Sequence, residues 1–345
     1  MCNAVPELNG YFLLNKPKNI SSFWAISRAR NTLSEKLNIP FKKIKVGHAG
    51  TLDPLAQGLL LCAVGKSTKM LSHLLLTNKK YIAELHLGEF SETDDAEGEK
   101  FIPEYKINKL NNAVENPTLA EVEDVIQLFI GKIKQTPPKF SALKIDGKRA
   151  CDRIREITNE GGSNQNGSEF TDGEIIEIMK TKTREIEILD IQILDYSYPK
   201  LRIEVHCGTG TYIRSLARDI GEKLQEGAYL SFLERTEVGS FSLENAVHHN
   251  DIDEKNILQF TQTAFGNALP SLVIEDKNII KRLEQGQKIA FRDLDFTKND
   301  NIKIQKKYEA KNKHIQKILL WSAESKLLGL GELKHDILIP RKIII

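Results

Sequence analysis

The residues best suited to chemistry lie in one short segment, KVGHAGTLDPLAQG at positions 45–58. Its three glycines allow the backbone to approach a ligand closely or to adopt a positive φ. Pro54 favours an extended conformation at Asp53, which places this carboxylate at a bend and outside any helix. A carboxylate held in this way could act as a nucleophile or as an electrostatic stabiliser, and Asp-Pro is equally common in ordinary turns.

Asp53 and Glu35 are the two acidic residues of a strongly basic stretch. Residues 10–80 contain twelve Lys and Arg against these two acids, a net charge of +10. Residues 81–130 contain three basic and twelve acidic residues, a net of −9, although the whole chain carries only +2. Nearby cations keep a carboxylate ionised, and a basic segment with interleaved aromatic residues is typical of polyanion-binding surfaces. Two ordinary solvated faces would give the same counts.

Composition restricts the class of protein. With 345 residues, 40% apolar and 28% charged, the chain is typical of a soluble globular protein of about two domains. Its apolar runs are too short for a transmembrane helix, so no membrane association is expected. The four widely spaced cysteines disfavour a disulfide scaffold and a CxxC metal site. A strand-like run within the first fifteen residues is expected to leave no room for a targeting peptide, which predicts a cytoplasmic location.

Other motifs are weaker candidates. The tripeptide Gly65-Lys66-Ser67 imitates the end of a Walker A motif, but Leu60 stands where that motif needs its first glycine. The His248-His249 pair could bind a metal, although adjacent histidines in a polar loop are usually solvated, and no metal site is predicted. Arg214, at the start of a predicted helix, could pair with a carboxylate or be an ordinary surface arginine. Tyr81 would by default be a packed aromatic residue.

Hydrophobic patterning predicts strands and helices without regular βα alternation, which indicates a mixed α+β fold. Strands are predicted at 11–15, 43–46, 59–64, 81–87, 185–194 and 201–206, a hairpin at 140–147, and helices near 22–38, 68–76, 118–130 and 212–224. Residues 159–173 are rich in Gly, Asn, Ser and Glu and are predicted to be a flexible insertion. A change to short β-like runs near Pro270 places a domain boundary between residues 269 and 270.

Several segments, taken together and in this order, resemble the TruB family of pseudouridine synthases. They are LLNKPKNISS (13–22), KVGHAGTLDPLAQGLL (45–60), KKY (79–81), PPKFSALKIDGKRA (137–150), CGTGTYIRSLARDIGEKL (207–224) and LERT (233–236). The resemblance spans roughly residues 10–242. It implies a largely antiparallel central sheet flanked by helices, the pseudouridine synthase fold, in residues 1–269. A small β-rich, PUA-like RNA-binding domain would occupy residues 270–345.

The resemblance also implies an activity and its residues. The family converts uridine 55 in the T loop of tRNA to pseudouridine, without a cofactor or metal. By position, Asp53 would attack the flipped uridine, Tyr81 would stack on its ring, and Arg214 would pair with Asp53. Three further residues would line the pocket of the flipped uridine: His48, Tyr212 and Leu233. Lys16 would support that pocket. The expected partner is the tRNA T stem-loop, with no DNA or membrane partner, and the protein is expected to be a monomer.

The match has departures outside these residues. Asn19 replaces the usual glycine of the KPxG motif, Cys151 replaces a common aromatic residue, and Glu234 replaces a frequent arginine. Insertion 159–173 has no counterpart in the family pattern. Two alternatives to an isomerase are a non-catalytic RNA-binding protein of the same fold and a glycosidase. A glycosidase needs a pair of acids, and the sequence offers no convincing second acid near Asp53.

Overall fold

The computed structural model describes residues 8–75, 77–111, 115–141, 144–145, 148–150, 152, 172–261, 269–295 and 314–344. The chain forms two compact units: unit 1 is Met1–Thr77 with Arg235–Ile345, and unit 2 is Asn78–Glu234. The boundary expected between residues 269 and 270 stays a prediction. The insertion expected at 159–173 lies outside the described residues, except that residues 172 and 173 begin a helix.

The described strands and helices follow the α+β pattern expected from the sequence. The strands are β1 Gly10–Lys16, β2 Val46–Ala49, β3 Gln57–Val64, β4 Lys79–Leu87, β5 Phe90–Ser91, β6 Lys100–Phe101, β7 Gly131–Gln135, β8 Lys144–Ile145, β9 Lys148–Arg149, β10 Arg184–Ser197, β11 Lys200–Cys207, β12 Ala228–Val238, β13 Phe241–Ser242, β14 Ser271–Ile274, β15 Ile289–Ala290, β16 His314–Ser322, β17 Leu327–Lys334 and β18 Ile337–Ile343. The α-helices are α1 Ser22–Leu37, α2 Leu71–Leu74, α3 Glu104–Asn111, α4 Leu119–Gln127, α5 Asp172–Thr181, α6 Ile213–Lys223 and α7 Lys277–Glu284.

In unit 1, strand β3 pairs in antiparallel fashion with both β1 and β2. Because side chains alternate across a strand, β1 and β3 bury one face against α1 and the other in a second core that includes Trp321. Strands buried on both faces are continuously apolar, as the segment LLLCAV of β3 is. This three-stranded frame is therefore a rigid base for the loop between β2 and β3.

Helix α1 begins where the sequence predicts it. The side chain of Ser21 accepts a hydrogen bond from the Trp24 N–H as the N-cap, and Asn38 ends the helix in the left-handed region at φ 51°. A polar cap satisfies a backbone donor that the first turn of a helix leaves unpaired. The buried face of the helix contains Ala25, Ala29 and Leu33. The cap places the next residue, Ser22, at the first turn and beside the β2–β3 loop.

In unit 2, β4, β11, β10 and β7 pair in that order, each antiparallel to the next. Strand β4 alternates buried and half-buried residues along its whole length, as a strand with one face in a core does. Helix α6 begins after Tyr212 and buries Ile213, Leu216 and Ile220. A largely antiparallel sheet with flanking helices was predicted, and the structure confirms it.

The C-terminal region contains a separate sheet in the order β14-β16-β17-β18-β15. Its pairings are antiparallel except for that of β14 with β16, which is parallel. The predicted β-rich character of this region is confirmed.

Local predictions in the first eighty residues needed correction. The strand predicted at 43–46 begins at Val46, because Pro40 starts a 3₁₀ turn over Phe41–Lys43 in which the Lys43 N–H donates to the Pro40 carbonyl at 2.8 Å. Residues 47–49, expected in a loop, pair with β3. The helix predicted at 68–76 is a 3₁₀ helix, Gly65–Met70, followed by the single turn α2.

Candidate active site

The residues predicted for the site fall into two sets, one in each unit. Unit 1 contains Lys16, His48 and Asp53. The second set, Tyr81, Tyr212, Arg214 and Leu233, belongs to unit 2. The predicted pairing of Arg214 with Asp53 joins residues of different units and stays a prediction.

Asp53 lies half-buried in the loop between β2 and β3, and the backbone on both sides of it is held in place. The Ser22 hydroxyl accepts a hydrogen bond from the Leu52 N–H and donates one to the Leu52 carbonyl, both at 2.9 Å. On the other side, the Pro54 carbonyl accepts a bond from the Asn19 N–H at 2.8 Å. A loop held on both sides of one residue restricts the directions in which that carboxylate can point.

Lys16 is a fully buried cation at the end of β1, next to this loop. Its ammonium donates to the carbonyls of Pro17 at 2.9 Å, Ile20 at 2.6 Å and Pro54 at 3.4 Å. Burial lowers the pKa of Lys16 to about 8, and the negative charge of Asp53 opposes that shift. The predicted supporting role of Lys16 therefore has a physical form: three hydrogen bonds to backbone and a positive charge facing Asp53.

Arg235 holds the same loop and was missed by the sequence reasoning, although it lies in the LERT segment. It is almost fully buried and donates to the carbonyl of Leu59 at 2.8 Å and to that of Gly50 at 3.0 Å. Gly58, at φ +100°, has the backbone of Arg235 against it, since a Cβ there would lie 2.4 Å from the Arg235 carbonyl oxygen. A glycine near the start of β3 is thus required by close packing against Arg235.

His48 lies half-buried on β2, immediately before the loop. Burial lowers the pKa of its imidazole, a backbone hydrogen bond with Gly50 raises it, and the charge of Arg235 lowers it further. The ring is therefore neutral at physiological pH. A neutral imidazole can contact a base without adding a positive charge next to the loop.

In unit 2, Arg214 is buried in the first turn of α6 and is held by three groups. Its guanidinium donates to the carbonyls of Thr93 at 3.2 Å and Phe140 at 3.1 Å, and lies 3.6 Å from the Asp95 carboxylate. Planar guanidinium groups with several fixed acceptors have a defined orientation. Asp95 was not singled out from the sequence, where it is one of twelve acidic residues in the segment 81–130.

Asp94, the neighbour of Asp95, forms a second ion pair with helix α6. Arg218 lies 2.8 Å from the Asp94 carboxylate, and burial raises the pKa of Asp94 to about 6 against the opposing charge of Arg218. The Leu230 N–H donates to the Asp94 carbonyl at 3.1 Å, which ties the acidic turn to β12. The acidic residues of this turn are therefore partners of the α6 arginines.

Tyr81, Tyr212 and Leu233 occupy defined positions in unit 2. Tyr81 is buried on β4, opposite Val205 of β11. The backbone of half-buried Tyr212 exchanges two hydrogen bonds with the Gln135 side chain, at 2.8 and 3.1 Å. Leu233 is buried on β12. Their predicted contacts with a nucleotide stay predictions.

Within the described residues, no group of His, Cys, Asp or Glu is arranged to hold a metal ion. The same residues include no helix long and apolar enough to cross a membrane. The expectation that the reaction needs no cofactor stays a prediction.

Comparison with known proteins identifies the family. Residues 37–165 match the model of the TruB family pseudouridylate synthase N-terminal domain. The tRNA pseudouridine synthase B of Parabacteroides distasonis is 39% identical over 254 residues, 72% of this chain and 94% of that protein. That of Corynebacterium diphtheriae is 37% identical over 78% of this chain and 81% of its own length. This chain belongs to the TruB family. The predictions of the family and of a pseudouridine-forming isomerase are confirmed.

Two solved structures share the fold of this TruB-family chain. The crystal structure of a Cbf5-Nop10-Gar1 complex matches with a TM-score of 0.62 and 20% identity over 98% of this chain and 85% of that one. The structure of an H/ACA RNP bound to a substrate RNA containing 2′-deoxyuridine matches with a TM-score of 0.62 and 19% identity, over 97% and 85%. These likenesses confirm the predicted fold.

The buried ammonium of Lys16 predicts a pH dependence of pseudouridine formation. Above a pH of about 8 the neutral amine has two N–H donors for three carbonyls and no charge facing Asp53. The rate should therefore fall as pH rises through 8. Lys16→Arg, which stays charged, should lose this fall, and single-turnover rates between pH 6.5 and 9.5 measure both.

Deprotonation of Lys16 does not destabilise the folded protein, so unfolding caused by this group cannot explain the fall in rate. The pKa of an unfolded lysine is the ordinary 10.5, so between pH 8 and 10.5 the unfolded chain binds more protons than the folded one. Through this group, the free energy of unfolding therefore rises with pH over that range. An identical fall in the rate of Lys16→Arg would contradict the assignment.

Proposed function

We propose that this protein converts uridine 55 in the T loop of tRNA to pseudouridine, with Asp53 as the reacting carboxylate. The observation that carries the proposal is the loop of Asp53: a half-buried acid whose backbone is held on both sides and which faces the charge of buried Lys16. The names of the curated relatives, tRNA pseudouridine synthase B, support tRNA as the substrate.

The reaction requires little beyond a positioned carboxylate. The bond between N1 of uracil and C1′ of the ribose breaks, the base turns, and a C5–C1′ bond forms as the C5 proton leaves. No electrons are gained or lost overall. Asp53 could attack C1′, attack C6, or promote elimination to a glycal, and each route uses the ionised acid. The target base must leave its stack to reach Asp53, at a cost of a few kcal/mol.

The other site residues have roles that follow from their chemistry. Tyr81 stacks on the uracil ring, which contributes about 1–3 kcal/mol and offsets part of the unstacking cost. Arg214 pairs with Asp53 as its counter-ion. His48, Tyr212 and Leu233 line the pocket of the flipped nucleotide, and Lys16 supports the loop. The T stem-loop is held by basic residues beside the Asp53 loop, in a protein that acts as a monomer in the cytoplasm.

Removing the negative charge of Asp53 tests the proposal. Asp53→Asn has the same size but cannot act as an anionic nucleophile, so release of tritium from 5-tritiated uridine in T-loop RNA should fall by roughly three orders of magnitude or more. Glu35→Gln is the matched control, because Glu35 is the other acid of the basic segment and lies exposed on α1. It should release tritium at the wild-type rate.

Equal tritium release by Asp53→Asn and the wild type would refute the role of Asp53. Binding of T-loop RNA without release by the wild type would favour a non-catalytic RNA-binding protein.

Replacing Tyr81 by Phe separates stacking from proton transfer. Tyr81→Phe keeps an aromatic face but loses the hydroxyl that would assist removal of the C5 proton. RNA affinity should change little while turnover falls by about a hundredfold. Tyr229→Phe, a half-buried tyrosine of the same unit, is the control and should keep its turnover. Unchanged turnover in Tyr81→Phe would refute the role.

A further inference from the structure

A cavity of about 400 Å³ lies in unit 1, at the opposite end of the β1–β2–β3 frame from Asp53. The register places Gly10 and Val46 against Val64 at the cavity end, and Lys16 against Gly58 at the loop end. At about 3.3 Å per residue, the length of β3 separates the two ends by roughly 20 Å. The cavity is therefore too far from Asp53 to hold the reacting nucleotide.

The charged side chains that line the cavity all have the same sign. They are Lys43, Lys45, Lys66 and Lys69. None of the described lining residues is acidic, although the whole chain has almost as many acidic residues (47) as Lys and Arg (49). The lining also includes the buried side chains of Ile44 and Val64, and a wall of low dielectric concentrates the field of nearby charges.

Hydrogen bonds connect the backbone segments that carry these lysines. The Gly65 N–H donates to the Lys45 carbonyl at 2.8 Å, and the Lys66 N–H donates to the Asn9 side chain at 2.7 Å. The ammonium of Lys69 donates to the Ile343 carbonyl at 2.9 Å. Cations around one small cavity lie within a screening length of about 8–10 Å, so their positive potentials add inside it and favour an anion there.

We propose that this cavity binds a phosphate group of the RNA backbone, several nucleotides away from the reacting uridine. The inference rests on the proposed function. At about 3.4 Å of helix axis per phosphate of one strand, as in B-form DNA, a gap of 20 Å corresponds to roughly six nucleotides. Lysine ammonium groups act as point charges and bind phosphate without reading sequence. The site therefore distinguishes a long, structured RNA from an isolated loop.

The test compares two pairs of lysines and two RNAs in the full chain. Lys43→Gln with Lys45→Gln removes two exposed charges of the cavity. Lys36→Gln with Lys42→Gln removes two exposed charges of the same unit that do not line it. Each pair is placed in the Asp53→Asn background, so that affinity is read without turnover. Dissociation constants are measured for full-length tRNA and for an oligonucleotide of the T loop without its stem, at several salt concentrations.

The cavity pair should bind full-length tRNA about tenfold more weakly, with a salt dependence reduced by about one to two counterions. Its affinity for the T-loop oligonucleotide should change less than about twofold, since this RNA does not extend six nucleotides from the uridine. The control pair should bind both RNAs as the parent does. Unchanged thermal melting shows that each variant is folded.

Three results would overturn the proposal: an equal loss in the control pair, an equal loss on the T-loop oligonucleotide, or no loss on full-length tRNA. A further arm titrates orthophosphate and AMP into the wild type. Saturable binding of either, together with unchanged tRNA affinity in the cavity pair, would assign the cavity to a small phosphate compound. Failure of the wild type to form pseudouridine would refute the proposed function alone, because the affinities are measured without turnover.

Discussion

The structure depends most on the attachment of the Asp53 loop to two buried cations. Lys16 and Arg235 are almost completely buried in unit 1, and both donate to carbonyl oxygens of the loop or of the strand that follows it. A buried charge costs several kcal/mol unless it is well solvated by polar groups. These carbonyls solvate the two cations only while the loop keeps its conformation. Moving the loop would leave the buried charges without polar partners, which is unfavourable.

This attachment explains why the frame beneath the loop is built as it is. β1 and β3 are buried on both faces, so neither strand can shift without disturbing two cores. Lys16 ends β1 and Gly58 pairs with it on β3, which places one cation at the end of a fixed strand. Ser22, fixed by the capped start of α1, holds the loop from a second direction. Three elements, β1, α1 and β3, thus determine where one carboxylate lies.

Much of this was predictable because its causes are local. Helix α1 starts at the Ser21 cap and α4 at the capping box of Thr118 and Glu121, and each cap bonds to residues within the next turn of the chain. Alternation at 81–87 predicted a strand with one buried face. Asp53 could be identified from the residues next to it in the sequence, because it lies in a glycine-rich segment and precedes a proline.

The remainder depends on contacts between distant segments, which local patterns do not encode. Arg235 lies 176 residues from its partner Leu59, and nothing in LERT indicates which carbonyls it binds. Asp95 is 119 positions before Arg214, and the sequence around neither residue indicates the other as its partner. The second strand begins at Val46 because the chain forms a 3₁₀ turn after Pro40. The spacing of apolar residues alone does not indicate that this turn replaces the first residues of the predicted strand.

The central claim is that Asp53 works because its loop is held rigidly, and the single-turnover rate of Ser22→Ala tests it most directly. This change removes both hydrogen bonds to Leu52 and touches neither Asp53 nor any cation. The rate should fall about tenfold or more with RNA affinity retained, because small displacements of a reacting group are costly. Ser21→Ala, which removes only the helix cap, should keep the wild-type rate at a temperature where it is folded. A wild-type rate in Ser22→Ala would contradict the account.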